Sequence, residues 1–495
     1  MKLKVRHTIS TWRISMSQLT RRDFVQASSA LAAAVATSSG AITAAAPEKK
    51  SNPGEKLRVA VIGVNGRGMD HVRGYLDQSG STVVAICDAD ESVIGKAMKA
   101  VEEKSGKAPK YYQDVRKLLE NREIDAVSIA TPNHWHALMA IWAMQHGKDV
   151  YVEKPVSHNV WEGRRIVEVA RETGKICQTG TQVRSQPGIR QAIEAMHNGE
   201  IGKVNLAIGL CYKTRNSIGK TNKPFTVPAS VNYDLWTGPA AAGPINRQRL
   251  HYDWHWVWNT GNGDLGNQGI HQMDVARWGL NQNTLAPKIF SVGGRVGYQD
   301  DGETANTHVS AFDYGSSTLI FEVRGLKTQP YKGAGVGNVF IGERGYMVIS
   351  GYNSATFFDP DGKKTKEFKG GADHYANFLK AVRSRKSSDL NADILEGHLS
   401  SGLCHLGNIS HRLGKPEILA GKLTDLDSGT GMKDCLTRLE SHLKDNNIDL
   451  TNTPLTVGRP LKLDPVTERF VGDSQANSML SREYRKGFEV PAKKA

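Results

Sequence analysis

Lys154 ends the run Asp149-Val-Tyr-Val-Glu153-Lys154-Pro155, a short stretch with the β-branched and aromatic character of a strand. The proline restricts the backbone of the residue before it, so the ammonium projects from a fixed point. A cation held there can position an alcohol oxygen and offset the charge that develops on it. A second candidate lies in Gly261-Asn-Gly-Asp264-Leu-Gly-Asn267-Gln-Gly-Ile-His271-Gln-Met-Asp274-Val-Ala-Arg277-Trp278. A glycine-rich loop feeding a helix predicts Asn267 and His271 one turn apart on one face. His271 then either exchanges the proton of a substrate hydroxyl or only hydrogen-bonds it. Lys154 and His271 are the candidate catalytic pair.

Proton exchange at an alcohol becomes redox chemistry when a hydride acceptor lies beside it, and an earlier part of the chain has the pattern of a holder for one. Leu57-Arg-Val-Ala-Val-Ile62 leads into Gly63-Val-Asn65-Gly66-Arg67-Gly68, after which Met69 to Gln78 has helical character. Strand, glycine turn and helix allow a pyrophosphate to approach the backbone and rest on the N–H groups of the helix N-terminus. The glycines run GxxGxG where the usual dinucleotide fingerprint is GxGxxG, so context has to carry the assignment. The next strand pattern, Thr82-Val-Val-Ala-Ile-Cys87, ends in Asp88, 20 residues past Gly68. A carboxylate there accepts from both ribose hydroxyls and repels a 2′-phosphate, which predicts NAD over NADP. The alternative is a flavodoxin-like domain whose glycines only make a turn.

Strand and helix patterns then alternate: helices over 91–104 and 114–120, a strand over 124–131, a helix over 134–146 and the strand before Glu153. That order predicts a parallel, doubly wound sheet. The strand over 124–131 runs into Thr131-Pro132-Asn133-His134-Trp-His136, a loop at the carboxyl edge where ligands bind in such sheets. His134 or His136 either touches a nicotinamide there or caps the next helix. With Asp88 and the Gly63 turn, Glu153-Lys154-Pro155 resembles the Gfo/Idh/MocA oxidoreductase family, over about residues 57–414. The resemblance implies a Rossmann doubly wound parallel sheet followed by an open antiparallel-sheet substrate domain, often paired face to face in homo-oligomers. In its inositol-dehydrogenase branch the histidine motif reads Asp-x-x-x-His, with the histidine as proton acceptor beside the motif lysine. Here Asn267 holds the Asp position, and the carboxylate that would stabilise imidazolium is missing.

Beyond Pro155 a helix over 159–173, a strand over 176–179 and a helix over 188–198 lead to alternating strands from Lys203 to Phe358, evenly spaced as in one open antiparallel sheet. The boundaries read as 55–155 for the cofactor domain, 156–372 for the substrate domain and 373–414 for helices packing back on the body. Residues 415–495 read as an irregular extension that wraps the body or a partner subunit. His251-Tyr-Asp-Trp-His255-Trp-Val-Trp258 crowds aromatic and polar groups together, either to stack on a carbohydrate or to pack on the sheet. Gln182, Arg184, His255, Asn267 and His271 are the candidate substrate contacts. No metal is expected, since His251 and His255 have no third ligand at a matching spacing.

Thr20-Arg21-Arg22-Asp23-Phe24, followed by an Ala/Ser-rich run to Ala46, has the form of a twin-arginine export signal and predicts an exported, periplasmic location. The alternative is a disordered tail. The formal net charge of +14 is inflated by residues 1–50, and the remainder shows no basic block of the kind that binds nucleic acid. Five widely spaced cysteines read as buried thiols. Taken together, these features predict an exported NAD-dependent oxidoreductase acting on a sugar or polyol. Two alternatives stand beside it: a glycosidase or lyase in which NAD transiently oxidises a ring hydroxyl, and a sugar-binding protein with a vestigial cofactor site.

Overall fold

The computed structural model describes residues 55–426 and 429–493. The twin-arginine segment lies outside the described residues. Six short strands form the first sheet: β1 (Leu57–Ile62), β2 (Ser81–Cys87), β3 (Lys110–Tyr112), β4 (Ala126–Ile129), β5 (Asp149–Val152) and β6 (Cys177–Thr179). They are all parallel, in the order β3-β2-β1-β4-β5-β6. β4 and β5 are buried along their whole length, as helices on both faces of a parallel sheet require. The order reverses between β1 and β4, and a crevice opens at their carboxyl ends. Helices α1 (Arg67–Leu76), α2 (Gly95–Ser105), α3 (Val115–Leu119), α4 (Asn133–Gln145) and α5 (Val160–Thr173) cover the sheet.

After α6 (Pro187–His197) the chain enters a second sheet at β7 (Val204–Tyr212). The segment that follows carries a short helix, α7 (Tyr233–Thr237), and the site loop then opens α8 (Ile270–Gly279). Next come β8 (Lys288–Gly294), β9 (Thr307–Asp313), β10 (Thr318–Arg324), β11 (Val336–Gly342), β12 (Gly345–Ile349), β13 (Ser354–Phe358) and β14 (Lys364–Lys369). Every pairing among these strands is antiparallel except β7 with β10, which is parallel, so the sheet is mixed. Its inner face packs on α6, α8 and α10 (Ile394–Arg412), with Phe312, Phe321 and Phe340 fully buried among them. α9 (His374–Ser384) returns to the first sheet and buries Phe378 and Val382 against it.

Residues 415–495 are more ordered than their composition predicts. Helix α11 (Met432–Asp445) buries Met432, Cys435, Leu436, Leu439 and Leu443, an apolar stripe at helical spacing. The stripe covers the outer face of the second sheet, on Leu206, Ile208 and Val339. Strands β15 (Lys415–Glu417), β16 (Leu455–Val457) and β17 (Leu461–Asp464) lengthen the sheet beyond β8. The last described stretch runs back to the first domain, where Phe488 meets Trp135 edge-on at 5.6 Å. β3 and β14 were not predicted. β3 has only three residues, and β14, Lys-Thr-Lys-Glu-Phe-Lys, is a largely exposed edge strand whose lysines protect it from further pairing. The five cysteines are buried and free.

Candidate active site

A cavity of about 730 Å³ occupies the crevice at the carboxyl ends of the first sheet, roofed by the second half of the chain. It is of the size that holds small molecules and cofactors. One end is built from backbone. Gly63 leaves β1 at φ +82°, and a Cβ there would come 2.8 Å from Ala130 O. At Gly68 a Cβ would collide with Gly63 O, so both glycines let α1 sit tight against the β1–β4 edge. Gly66 has the opposite surroundings: a Cβ would meet nothing within 4 Å, because it points into the cavity beside the first N–H groups of α1. This open cradle at a helix N-terminus fits a pyrophosphate.

Asp88 closes β2 at the rim of the same end. Its Oδ2 accepts from Val64 N at 2.8 Å and its Oδ1 from Asp90 N at 3.0 Å. Burial raises its pKa, and those two N–H donors work against the rise. Each oxygen keeps a free lone pair, which is what a ribose diol needs. Thr131, Pro132 and Asn133 line the floor between this end and the other, and Asn133 Nδ2 donates to Asn262 Oδ1 at 3.0 Å. His136 also lines the cavity, its ring wedged between Pro155 O (2.6 Å) and Thr131 O (2.7 Å). Burial lowers its pKa, and a neutral ring donates to one of those carbonyls only. His134 turns away into the core to Trp236 O at 3.0 Å and does not line the cavity.

The far end holds charge. Glu153 is 3% exposed, and its Oε1 accepts from Arg67 Nε (2.9 Å), His71 Nε2 (3.2 Å) and Gln182 Nε2 (3.2 Å). Burial acts to raise the Glu153 pKa, but the His71 hydrogen bond and the Arg67 charge outweigh it and hold the carboxyl well below its usual range. Next to this fixed negative charge, Lys154 Nζ donates to Asn267 O at 2.7 Å. Burial pulls the Lys154 pKa below the ordinary lysine value, with Glu153 opposing. His271 completes the group: burial, then the Lys154 charge, lowers it to about 3. It therefore stands neutral, and its buried Nδ1 has no hydrogen-bond partner.

Of the predicted residues, Gly63, Asn65, Gly66, Arg67, Asp88, Thr131, Pro132, Asn133, His136, Glu153, Lys154, Gln182, His255, Asn267 and His271 line this one cavity. Gly68 and Arg184 do not. Gly68 acts one layer down, in the packing of α1. Arg184 is a correction: it is buried, its Nε held by both Asp274 oxygens (3.0 and 2.8 Å) and its guanidinium paired with Glu396 at 2.9 Å. It ties the start of α6 to α8 and α10, and touches nothing in the cavity.

The Asn267–His271 geometry also differs from the prediction. Residues Leu265–Gly269 form a π-helical turn ahead of α8, and its wider winding breaks the four-residue register. The backbone carbonyl of Asn267, not its side chain, makes the key contact, to Lys154. The aromatic run divides between both readings: Trp256 is buried, whereas Tyr252, Trp254 and His255 line the cavity. His255 is stacked on Trp254 at 3.6 Å, and burial lowers its pKa to about 3. His251 pairs with Asp90 (2.8 Å) while His255 bonds Tyr252 O (2.5 Å), so the two rings do not converge as ligands. Among the described residues no cluster of three or more His, Cys, Asp or Glu could hold a metal. Tyr352 was missed. It lies edge-on to His271 at 5.6 Å and its hydroxyl accepts from Gln268 at 3.0 Å, but in sequence it is a lone tyrosine in a Gly/Ser turn.

Residues 57–181 match the oxidoreductase family with an NAD-binding Rossmann fold, and residues 199–424 match the C-terminal alpha/beta domain of the same family. The chain belongs to the Gfo/Idh/MocA family. Residues 57–181 are thus an NAD-binding Rossmann domain, in an enzyme family of oxidoreductase fold. Curated relatives include an alpha-N-acetylgalactosaminidase of Shewanella oneidensis, 33% identical over 179 residues. A glycosyl hydrolase family 109 protein of Shewanella sp. strain ANA-3 is 34% identical over 179 residues. In both, the match spans 33% of this chain and only 39% of the relative. The WlbA dehydrogenase of Bordetella pertussis, solved with NADH and UDP-GlcNAcA, shares the fold at a TM-score of 0.54 and 20% identity, over 72% of this chain and 97% of that one. An NAD-binding oxidoreductase of Klebsiella pneumoniae does so at 0.51 and 18%, over 70% and 95%. No helix among the described residues is long and apolar enough to cross a membrane.

Proposed function

We propose that this chain holds NAD in the cavity and uses it to exchange a hydride with a C–H(OH) carbon of a sugar or polyol. The observation that carries the reading is that Lys154 and His271 line the same cavity as the Gly66 cradle and Asp88. A nicotinamide held there would supply the hydride acceptor. Lys154 donates to the reacting hydroxyl oxygen and balances its developing charge. Neutral His271 takes the hydroxyl proton, and the partnerless Nδ1 leaves the ring free to settle its tautomer as the proton arrives. Asp88 selects NAD by refusing a 2′-phosphate. Trp254, His255 and Tyr252 offer the aromatic face and polar rim that carbohydrate binding uses.

A closed redox cycle is part of the proposal. The twin-arginine pattern implies export with the cofactor already loaded, to a place with little NAD to replace it. A second reading is favoured by the named activity of the Shewanella oneidensis relative. In it, oxidation of a ring hydroxyl acidifies the adjacent C–H, the glycosidic bond leaves by elimination, water adds, and the hydride returns. One experiment separates the two. The protein is desalted extensively and given an aryl N-acetylgalactosaminide or a free polyol without added cofactor. Release of many equivalents of phenol with no net NADH supports the cycle with cleavage. Oxidation of the polyol only on addition of stoichiometric NAD supports a simple dehydrogenase, and no turnover of either sinks both.

A further inference from the structure

In a doubly wound fold the dinucleotide lies across the crevice outside the carboxyl ends of the strands, its adenosine end toward the acidic residue that closes the second strand. Here that end, beyond Asp88, is apolar on the first-domain side, with Val115, Trp135 and Met139, and it is covered from the other side by Leu235 and Trp236 of the segment between β7 and α8. The covering segment is a small folded unit of its own. Val231, Trp236, Ile245 and Leu250 form a separate buried cluster. Tyr233 lies parallel to the Trp236 ring at 6.0 Å, and the Arg247 guanidinium sits over that ring at 5.4 Å.

Two sets of bonds fasten this unit to the rim of the crevice. At Asp90, which is 3% exposed, Oδ1 accepts from Ser230 Oγ (2.9 Å) and Oδ2 contacts His251 Nε2 (2.8 Å). Backbone bonds Asn232 N to Ala89 O (2.9 Å) and Glu91 N to Ser230 O (3.0 Å) run beside them. At α4, Trp135 Nε1 donates to Leu235 O (3.0 Å) and His134 faces Trp236 O (3.0 Å). Gly238, next to α7, packs so close to the Trp135 indole that a Cβ would fall 2.1 Å from it. All of this bonding at the mouth of the cofactor crevice comes from a segment outside the Rossmann domain.

We propose that residues 225–254 are a retaining cover over the adenosine end of the dinucleotide, fastened by Asp90, and that this fastening sets how long the cofactor stays bound. The inference rests on the NAD-binding domain and not on the identity of the substrate. The test loads the full chain with NADH, mixes it with excess NAD in a stopped-flow instrument, and follows loss of the bound NADH fluorescence. Asp90→Ala and Trp236→Ala should each speed dissociation at least tenfold, and His251→Ala, which cuts one tether, by less. Hydrogen exchange over 225–254 in the wild type should slow when NADH binds, a readout that needs no variant to fold. Dissociation rates within twofold of wild type in correctly folded variants, or exchange over 225–254 indifferent to NADH, would overturn the proposal. Neither measurement depends on turnover, so a failed sugar assay leaves it standing.

Discussion

At the Asp88 end of the cavity the polar groups are satisfied before any ligand arrives: two backbone N–H donors hold the carboxylate, and the glycine turn is fixed by packing. At the Lys154 end they are not balanced. A fully charged Glu153, a lysine whose ammonium burial disfavours and a neutral histidine with a partnerless nitrogen share one buried corner. The first arrangement suits binding, which gains from a surface already in place. The second suits proton and charge movement, where perturbed groups are useful and costly to maintain. A change at the first end should therefore alter affinity, and a change at the second should alter rate.

Lys154→Ala tests the contrast most severely. The substitution removes the cation and, with it, the anchor on Asn267 O. Turnover should fall by roughly two to four powers of ten, the scale of a positioned acid, base or electrostatic group, while NAD affinity changes little. Steady-state rates paired with calorimetric titration of NAD would check both halves. Near-normal turnover would take the lysine out of the chemistry, and a large loss of NAD affinity would erase the distinction between the ends.

Asp88→Ala should behave in the opposite way. Removal of a carboxylate that binds a diol costs on the order of 1–3 kcal/mol, or roughly fivefold to 150-fold in NAD affinity. The rate at saturating cofactor should stay close to wild type. NADP, no longer repelled, should gain relative to NAD in the same titration. A wild type that binds NADP more tightly than NAD would refute the ribose assignment outright.

The two ends also differed in how plainly the sequence announced them. The Gly63 turn, Asp88 and Glu153-Lys154-Pro155 are local signals: each lies where a strand pattern stops, and a doubly wound sheet brings strand ends together whatever else the chain does. Arg184 failed as a prediction because its position is set by Asp274 and Glu396, 90 and 212 residues away in sequence, and no local pattern distinguishes a buried ion network from a cleft. The π-helical turn was hidden for a related reason. Its glycines allow several windings, and only the packed surroundings select one. Helix α11 did carry a readable stripe, from Met432 to Leu443, but the Gly- and Asp-rich residues around it masked the period. Tyr352 reaches His271 only because β12 and β13 deliver their turn to the cavity rim.

Asn267→Asp is the subtlest way to sharpen the comparison, because it adds charge to the reactive end at the cost of only the long Asn267–Asp264 hydrogen bond. Asn267 lines the cavity, with its Nδ2 3.5 Å from Asp264 Oδ1, and Asp264 is already ion-paired with Arg215 at 2.6 Å. A new carboxylate there would favour the protonated forms of both His271 and Lys154. His271 acts as neutral base, so its activity is lost as pH falls through its pKa. With that pKa near 3, the wild type should show no His271 limb on the acid side down to about pH 4. The variant should move the limb upward by roughly one unit and into view. Lys154 acts as a cation, so its contribution is lost as pH rises through a pKa that burial holds below the ordinary lysine value. The variant should push that alkaline limb upward as well. Profiles of kcat/KM against pH for the two proteins give both shifts at once. If they superimpose, the Asn267 side chain faces neither group, and the histidine motif works here through the backbone carbonyl alone.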